Sequence, residues 1–169
     1  MIIGVPKEIH PGERRVAIVP STIGQLKKLG YEVIIEKGAG ILANFPDNLY
    51  QDAGAELIEK AAEIWERSDL VIKIRAPEMH PKLKKHEASF PKKESCLIAM
   101  LDPSRNKALV KKLAGTGGTS LSTDAIPRIS RAQSMDVLSS MANISGYRAM
   151  VEAAHFFGRL LSCLLYTSD

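Results

Sequence analysis

The run Pro127-Arg128-Ile129-Ser130-Arg131-Ala132-Gln133-Ser134-Met135-Asp136 sets two guanidiniums, a carboxamide, a carboxylate and two hydroxyls side by side, and Ser139 adds a further hydroxyl just beyond. A guanidinium only donates, a carboxylate only accepts, and a carboxamide does both, so together these groups can hold a polar ligand from several sides. The stretch is polar where a core would be apolar, as expected of a loop that grips a ligand. The same composition also suits a solvated turn running into a helix cap, because Ser and Asp satisfy the free N–H groups of a first helical turn. The residue types alone leave both readings open.

The literal order of residues carries more. Arg-Ile-Ser-Arg-Ala-Gln-Ser-Met-Asp at 128–136, followed by Ser139-Ser140-Met141-Ala142-Asn143 and Gly146-Tyr147-Arg148-Ala149, closely resembles the NAD(H)-binding domain of the proton-translocating NAD(P) transhydrogenase alpha subunit, whose family also contains alanine dehydrogenase. The start of the chain is similar to the opening of both enzymes: Met1 to Glu8, Glu13-Arg14-Arg15-Val16-Ala17, Glu36 to Gly40 and Ala53-Gly54-Ala55-Glu56. From about Glu78 to Thr119 the chain departs from the family pattern.

The resemblance implies a cofactor site, NAD(H), at Arg128, Ile129, Ser130, Arg131, Gln133, Ser134, Met135, Asp136 and Ser139. Of these, Arg128, Gln133, Asp136 and Ser139 correspond to groups that contact the nicotinamide end of NAD(H) and the opposing nucleotide. The implied reaction is direct hydride transfer between NADH and NADP⁺, with NADP(H) on a partner domain, so the protein contributes alignment and electrostatics instead of acid-base groups. Implied partners are the membrane-embedded and NADP(H)-binding components of the complex and a second copy of the chain. Nucleic acid is not among them, and the implied location is cytoplasmic, peripheral at the inner membrane.

Two other functions compete with that one. Arg15 and Lys73 match the positions that hold the substrate carboxylate and carbonyl in alanine dehydrogenase, and a guanidinium paired with an ammonium facing one cleft would suit a keto acid. That enzyme also needs a histidine to move a proton. Around Leu97 to Pro103, where it is expected, the chain has Ile98, Ala99, Met100 and Leu101, while His10, His80, His86 and His155 read as solvated or helix-surface residues. Arg15 and Lys73 are therefore expected to be structural or vestigial. The third possibility is a catalytically silent binding or assembly module.

At 169 residues, 45% of them hydrophobic, the chain can bury one good core, and a second domain is not expected. The formal charge of +4 is modest, with a lysine patch at 82, 84, 85, 92 and 93 that reads as a solvated loop; no aromatics interleave with it as a nucleic-acid platform would require. No signal peptide or membrane span is expected. Cys96 and Cys163 suggest neither a disulfide framework nor a metal site.

Short apolar runs alternating with amphipathic segments predict an α/β, Rossmann-like or flavodoxin-like doubly wound sheet, mostly parallel, with flanking helices. Strands are expected at Ile2–Val5, Tyr31–Glu36, Ala55–Ile58, Asp69–Ile74, Ser95–Leu101 and Thr119–Ser122. Helices are expected from Ser21, as a cap, to Leu29, around Asp47–Ala53, over Glu59–Arg67, and from Ser104, again as a cap, to Ala114. Pro77, Pro81 and Pro91 mark a long loop or broken helix between two strands. Tyr147, Met150, Val151, Ala154, Phe157 and Leu161 at helical spacing predict one long amphipathic helix.

Gly38-x-Gly40-x-x-Ala43 follows a strand, yet Pro46 and the lack of a helix opening at Gly40 favour a plain turn over a dinucleotide fingerprint. The family resemblance implies that residues 1–161 form the N-terminal half of the NAD(H)-binding component, without the glycine-rich Rossmann half and inactive alone, with 162–169 expected to be a non-native tail.

Overall fold

The computed structural model describes residues 1–158, so the expectations for Leu161, for Cys163 and for a tail at 162–169 lie outside the described residues. Six parallel strands run in the order β3-β2-β1-β4-β5-β6. They are β1 (Ile2–Val5), β2 (Glu32–Glu36), β3 (Glu56–Ile58), β4 (Leu70–Ile72), β5 (Cys96–Ala99) and β6 (Thr119–Ser122). Parallel neighbours need a crossover, and helices α1 (Pro20–Lys28), α2 (Asp47–Asp52), α3 (Ala61–Arg67) and α4 (Lys107–Ala114) supply four of the five. The β4–β5 crossover is a proline-punctuated loop with a single 3₁₀ turn at Glu87–Ser89. This is the expected doubly wound sheet.

Strand pleat sorts the core into two layers. Ile3, Val5, Val33 and Ile35 point to one face, where Ile23 of α1 and Tyr50 of α2 cover them. Trp65 of α3 and Leu109 and Leu113 of α4 cover Val71, Leu97 and Ala99 on the other, and Ile64 of α3 lies against Ile34 and Ile58. Gly4 is where α3 comes nearest the sheet: a Cβ there would lie 1.9 Å from the Ser68 hydroxyl and 3.0 Å from Ile64.

The glycines after β2 make the turn that the sequence suggested. Gly38 has φ +77 and donates its N–H to Asp47 at 2.8 Å, and the chain continues into a 3₁₀ turn over Ile41–Ala43. A Cβ on Gly40 would meet the Phe45 carbonyl and the Tyr50 ring, both at 2.6 Å, so this glycine serves packing around the buried Tyr50.

Both predicted helix caps move. Helix α1 starts two residues earlier than expected, with Val19 in place of Ser21 at the cap and Pro20 at the first helical position, where a missing N–H costs nothing. Helix α4 starts later, behind Asn106, because Asp102 turns left-handed at φ +44 and the Ser104 hydroxyl donates to the Asp102 carboxylate instead of a helix N–H.

The chain divides into two compact units, one ending at Ile126 and the other beginning at Pro127. The second unit holds a 3₁₀ segment over Ser130–Met135 and the 20-residue helix α5 (Val137–Phe156). The expected long helix is present but not amphipathic. Its apolar residues are spread around it and none is buried; Tyr147, Met150, Val151 and Phe157 are exposed. No helix among the described residues is long and apolar enough to cross a membrane.

Candidate functional site

In open sheets of this kind, ligand sites form beyond the carboxyl ends of the strands where the strand order reverses. Here that point lies between β1 and β4, and charged side chains fill it. Lys73 follows β4, and its buried ammonium lies 2.8 Å from both carboxylate oxygens of the equally buried Glu87. Glu87 also accepts the Glu78 N–H at 3.1 Å. Glu8, just past β1, accepts the Ile74 N–H at 2.6 Å and reaches to 3.8 Å from the Lys73 ammonium. Burial pushes the Glu8 carboxyl up, more than the nearby Lys73 and the two N–H donors pull it down.

A second cluster adjoins the first. Glu13 is buried, and its carboxylate takes the Arg15 guanidinium through Nε at 2.7 Å and Nη2 at 2.6 Å, together with Arg75 Nε at 2.7 Å. The Arg15 hydrogen bonds hold the Glu13 carboxyl down at about 2. Lys73 and Arg15 thus do not form a bare cationic pair: Lys73 is closed off by Glu87 and Glu8, and Arg15 lies along Glu13. Chemically this is a self-neutralised, internally hydrogen-bonded crevice.

The histidines separate in a way that the sequence did not. His80 is buried, not solvated, and its Nδ1 accepts the N–H groups of Lys82 and Leu83, which leaves the proton of the neutral ring on Nε2. A tight turn in the 80–86 loop closes around the ring, and lysine-rich neighbours gave no hint of that. His10 pairs with Glu78 at 2.6 Å on a half-exposed surface. His86 caps the 3₁₀ turn through Nδ1, and His155 stacks edge-on against Phe156.

In the second unit, Arg128, Ile129, Ser130, Gln133, Asp136 and Ser139 line one cavity of about 260 Å³. The 3₁₀ winding of residues 130–135 brings Ser130 and Gln133 to one side, because residues three apart eclipse in that geometry. Arg131, Ser134 and Met135 are exposed and lie outside the lining. Asp136 does two things at once. Its Oδ1 accepts the N–H groups of Leu138 and Ser139, both at 3.0 Å, which caps α5, and its Oδ2 accepts the Ser139 hydroxyl at 2.6 Å. These bonds, the Ser139 hydroxyl first, hold the Asp136 carboxyl below its usual range. Arg128 lies 3.8 Å from Oδ2 with most of its guanidinium exposed, so its donors face the cavity and solvent. Helix capping and ligand gripping, set out as alternatives in the sequence, are compatible in this geometry.

Residues 4–145 match the family described as alanine dehydrogenase/PNT, N-terminal domain. The chain belongs to this family. The match runs through residues 78–119, where the sequence pattern had departed. NAD(P) transhydrogenase subunit alpha of Cereibacter sphaeroides is 45% identical over 162 residues, which are 96% of this chain and 30% of that protein. The transhydrogenase structure from Sinorhizobium meliloti superposes with a TM-score of 0.83 at 38% identity, covering 94% of this chain and 46% of that one. An L-alanine dehydrogenase structure gives a TM-score of 0.66 at 34% identity over 73% of this chain and 32% of that one. The chain therefore spans less than half the length of these relatives.

Within this family domain, Glu87 is the partner of Lys73 in the crevice that sequence reasoning missed. Lys73 sits in the apolar run Val71-Ile72-Lys73-Ile74, and a buried ammonium requires a carboxylate nearby. That signal demands a partner without naming it.

Proposed function

We propose that this chain is the nicotinamide-facing part of the NAD(H)-binding component of a proton-translocating transhydrogenase. In this reading NADP(H) is held on a partner domain, membrane-embedded components move the proton, the parent protein is a homodimer, and the chain works at the cytoplasmic side of the inner membrane. Residues 1–161 then belong to the NAD(H)-binding half whose glycine-rich partner half binds the rest of the nucleotide. The observation that supports this best is the contrast between the two candidate sites. Five loop side chains and Ser139 of α5 share one open cavity, whereas the cations that a keto acid would need are already bound to carboxylates of the chain itself.

The donor set of the cavity fits a nicotinamide and its ribose. Gln133 offers both a donor and an acceptor to a carboxamide, Ser130 and Ser139 offer hydroxyls, and Arg128 offers an exposed guanidinium. A nicotinamide, when bound, supplies the hydride chemistry. The chain's residues need only orient it, so no acid-base group is required, and the Asp136 cap keeps Ser139 and the first turn of α5 in fixed register with the loop.

The test uses the longer protein that contains this domain. Gln133→Asn keeps the amide but withdraws it by one methylene, and is expected to slow hydride transfer to an NADP analogue about a hundredfold while NADH affinity falls much less. Lys73→Ala serves as the comparison, with alanine-dependent NADH formation measured beside transhydrogenation. Near-normal transhydrogenation in the glutamine variant, with loss of an alanine-dependent rate in the lysine variant, assigns the protein to amino-acid oxidation instead.

A further inference from the structure

The lysine patch of the β4–β5 loop is larger in the fold than in the sequence. Helix α4 packs on the 3₁₀ turn at Glu87–Ser89, and Lys112 of α4 lines one depression of about 490 Å³ together with His86 and Met79 of the loop. Just past the C-terminus of α4, a Cβ on Gly117 would lie 3.4 Å from the Lys93 side chain. Lys82, Lys84, Lys85, Lys92 and Lys93 of the loop are therefore joined by Lys107, Lys111 and Lys112 of the helix, and all eight are exposed. Residues 82–112 carry nine cationic side chains against three carboxylates, whereas the rest of the chain carries more acids than bases. Two of those three carboxylates are engaged, Glu87 by Lys73 and Asp102 by Arg105 at 3.9 Å. The local field also acts on His86, whose imidazole is held below its usual range by burial and then by Lys112.

We propose that this face of the domain, built by the β4–β5 loop and α4, docks electrostatically on an anionic phospholipid bilayer. Three features choose a bilayer over other polyanions. The charges are lysines, hydrated point charges on flexible stems, and not the forked arginines that read one carboxylate or phosphate bidentately. They are spread over two elements with no enclosed pocket, which suits a diffuse negative surface. One apolar side chain stands beside them: Met79, 60% exposed, borders the same depression as Lys112 and is placed to enter the headgroup layer, where a nucleic-acid backbone would have no use for it. No aromatic side chain other than Phe90 lies in residues 82–112, so base stacking is not provided for.

The proposal concerns a surface and is independent of the transhydrogenase reading. It is tested by co-sedimenting the chain with vesicles of phosphatidylcholine containing about one third phosphatidylglycerol, and with phosphatidylcholine alone, at about 0.05 M and about 0.5 M salt. Binding is expected only with the anionic vesicles and only at low salt. Lys82→Gln, Lys84→Gln, Lys85→Gln, Lys111→Gln and Lys112→Gln combined should lower partitioning about a hundredfold or more, at a few-fold per lysine. Unchanged circular dichroism shows that the variant is folded. Met79→Ser, which leaves the charge intact, should weaken binding a few-fold. Equal binding to neutral vesicles, no binding to either, or full binding by the five-lysine variant overturns the proposal. So does tighter retention on duplex DNA than on anionic vesicles at the same salt.

Discussion

The Lys73 ammonium and the Glu87 carboxylate form a two-pronged ion pair, 2.8 Å on each side, with both side chains out of solvent. The pair ties the end of β4 to the 3₁₀ turn of the crossover loop, so it holds down the segment that lacks a helix to do so. A buried pair of this kind contributes little over an apolar replacement, but losing one member leaves an uncompensated charge. Lys73→Met alone and Glu87→Leu alone should each cost about 3–5 kcal/mol, and the double variant should recover most of that loss. Urea denaturation of the four proteins of the cycle measures it. Single losses below about 1 kcal/mol contradict the burial assigned to the pair.

Glu13 sets an acid limit on the same region. Its carboxyl lies at about 2 in the folded chain, against an ordinary value near 4.5. Between those two values the unfolded chain takes up the proton and the folded chain does not, so stability is fully present above about pH 5 and is lost as the pH falls toward 2. Because Arg15 and Arg75 are half exposed, the contribution is about 2 kcal/mol after solvent screening. Glu13→Gln should be less stable by about that amount at pH 7, and the difference should vanish near pH 2. A difference that stays constant over this range removes the ion pair as its cause.

Of the described glycines, Gly4 leaves the least room for a Cβ. With the Ser68 hydroxyl 1.9 Å and the Ser68 Cβ 2.9 Å from an added Cβ, Gly4→Ala must push α3 away from β1. It should cost about 3 kcal/mol. Ser68→Gly in the same chain should return part of this, though not all, because the Ile64 methyl remains 3.0 Å away. Thermal melts of the two variants decide it, and a mild single variant means that α3 is not tightly seated.

These cases mark what the sequence made legible. The strands were readable because runs such as Ile2-Ile3-Gly4-Val5 and Glu32-Val33-Ile34-Ile35 are β-branched and bounded by turn residues, and the observed bounds differ from the expected ones by at most a few residues. The polar loop was readable because its residues are contiguous, and four of them, with Ile129 and Ser139, line the cavity. What could not be read were partners brought together by irregular backbone. Glu87 meets Lys73 across fourteen residues of loop, and His80 is buried by a turn that no periodicity signals. The start of α4 was misplaced for the same kind of reason, since a left-handed Asp102 consumed the serine expected to cap it. The lack of an apolar stripe on α5 was missed because helical spacing was judged from a few apolar residues and not from all of them.

The Asp136 cap gives the last prediction. Asparagine can accept the Leu138 and Ser139 N–H groups through its carbonyl oxygen and can donate to the Ser139 hydroxyl, so Asp136→Asn should keep α5 within a few tenths of a kcal/mol. Asp136→Ala loses the acceptor and should cost about 1 kcal/mol, seen as fraying of the first turn of α5 by amide hydrogen exchange. Acid separates charge from geometry. With its carboxyl held down by Ser139 and the helix N–H groups, the aspartate cap should persist in mild acid and weaken only as the pH falls through that depressed value, while the asparagine cap should show no such dependence. Equal exchange at Leu138 and Ser139 in the alanine variant and the parent chain means that α5 starts without help from Asp136. The loop residues would then have to be held in register by something other than this carboxylate.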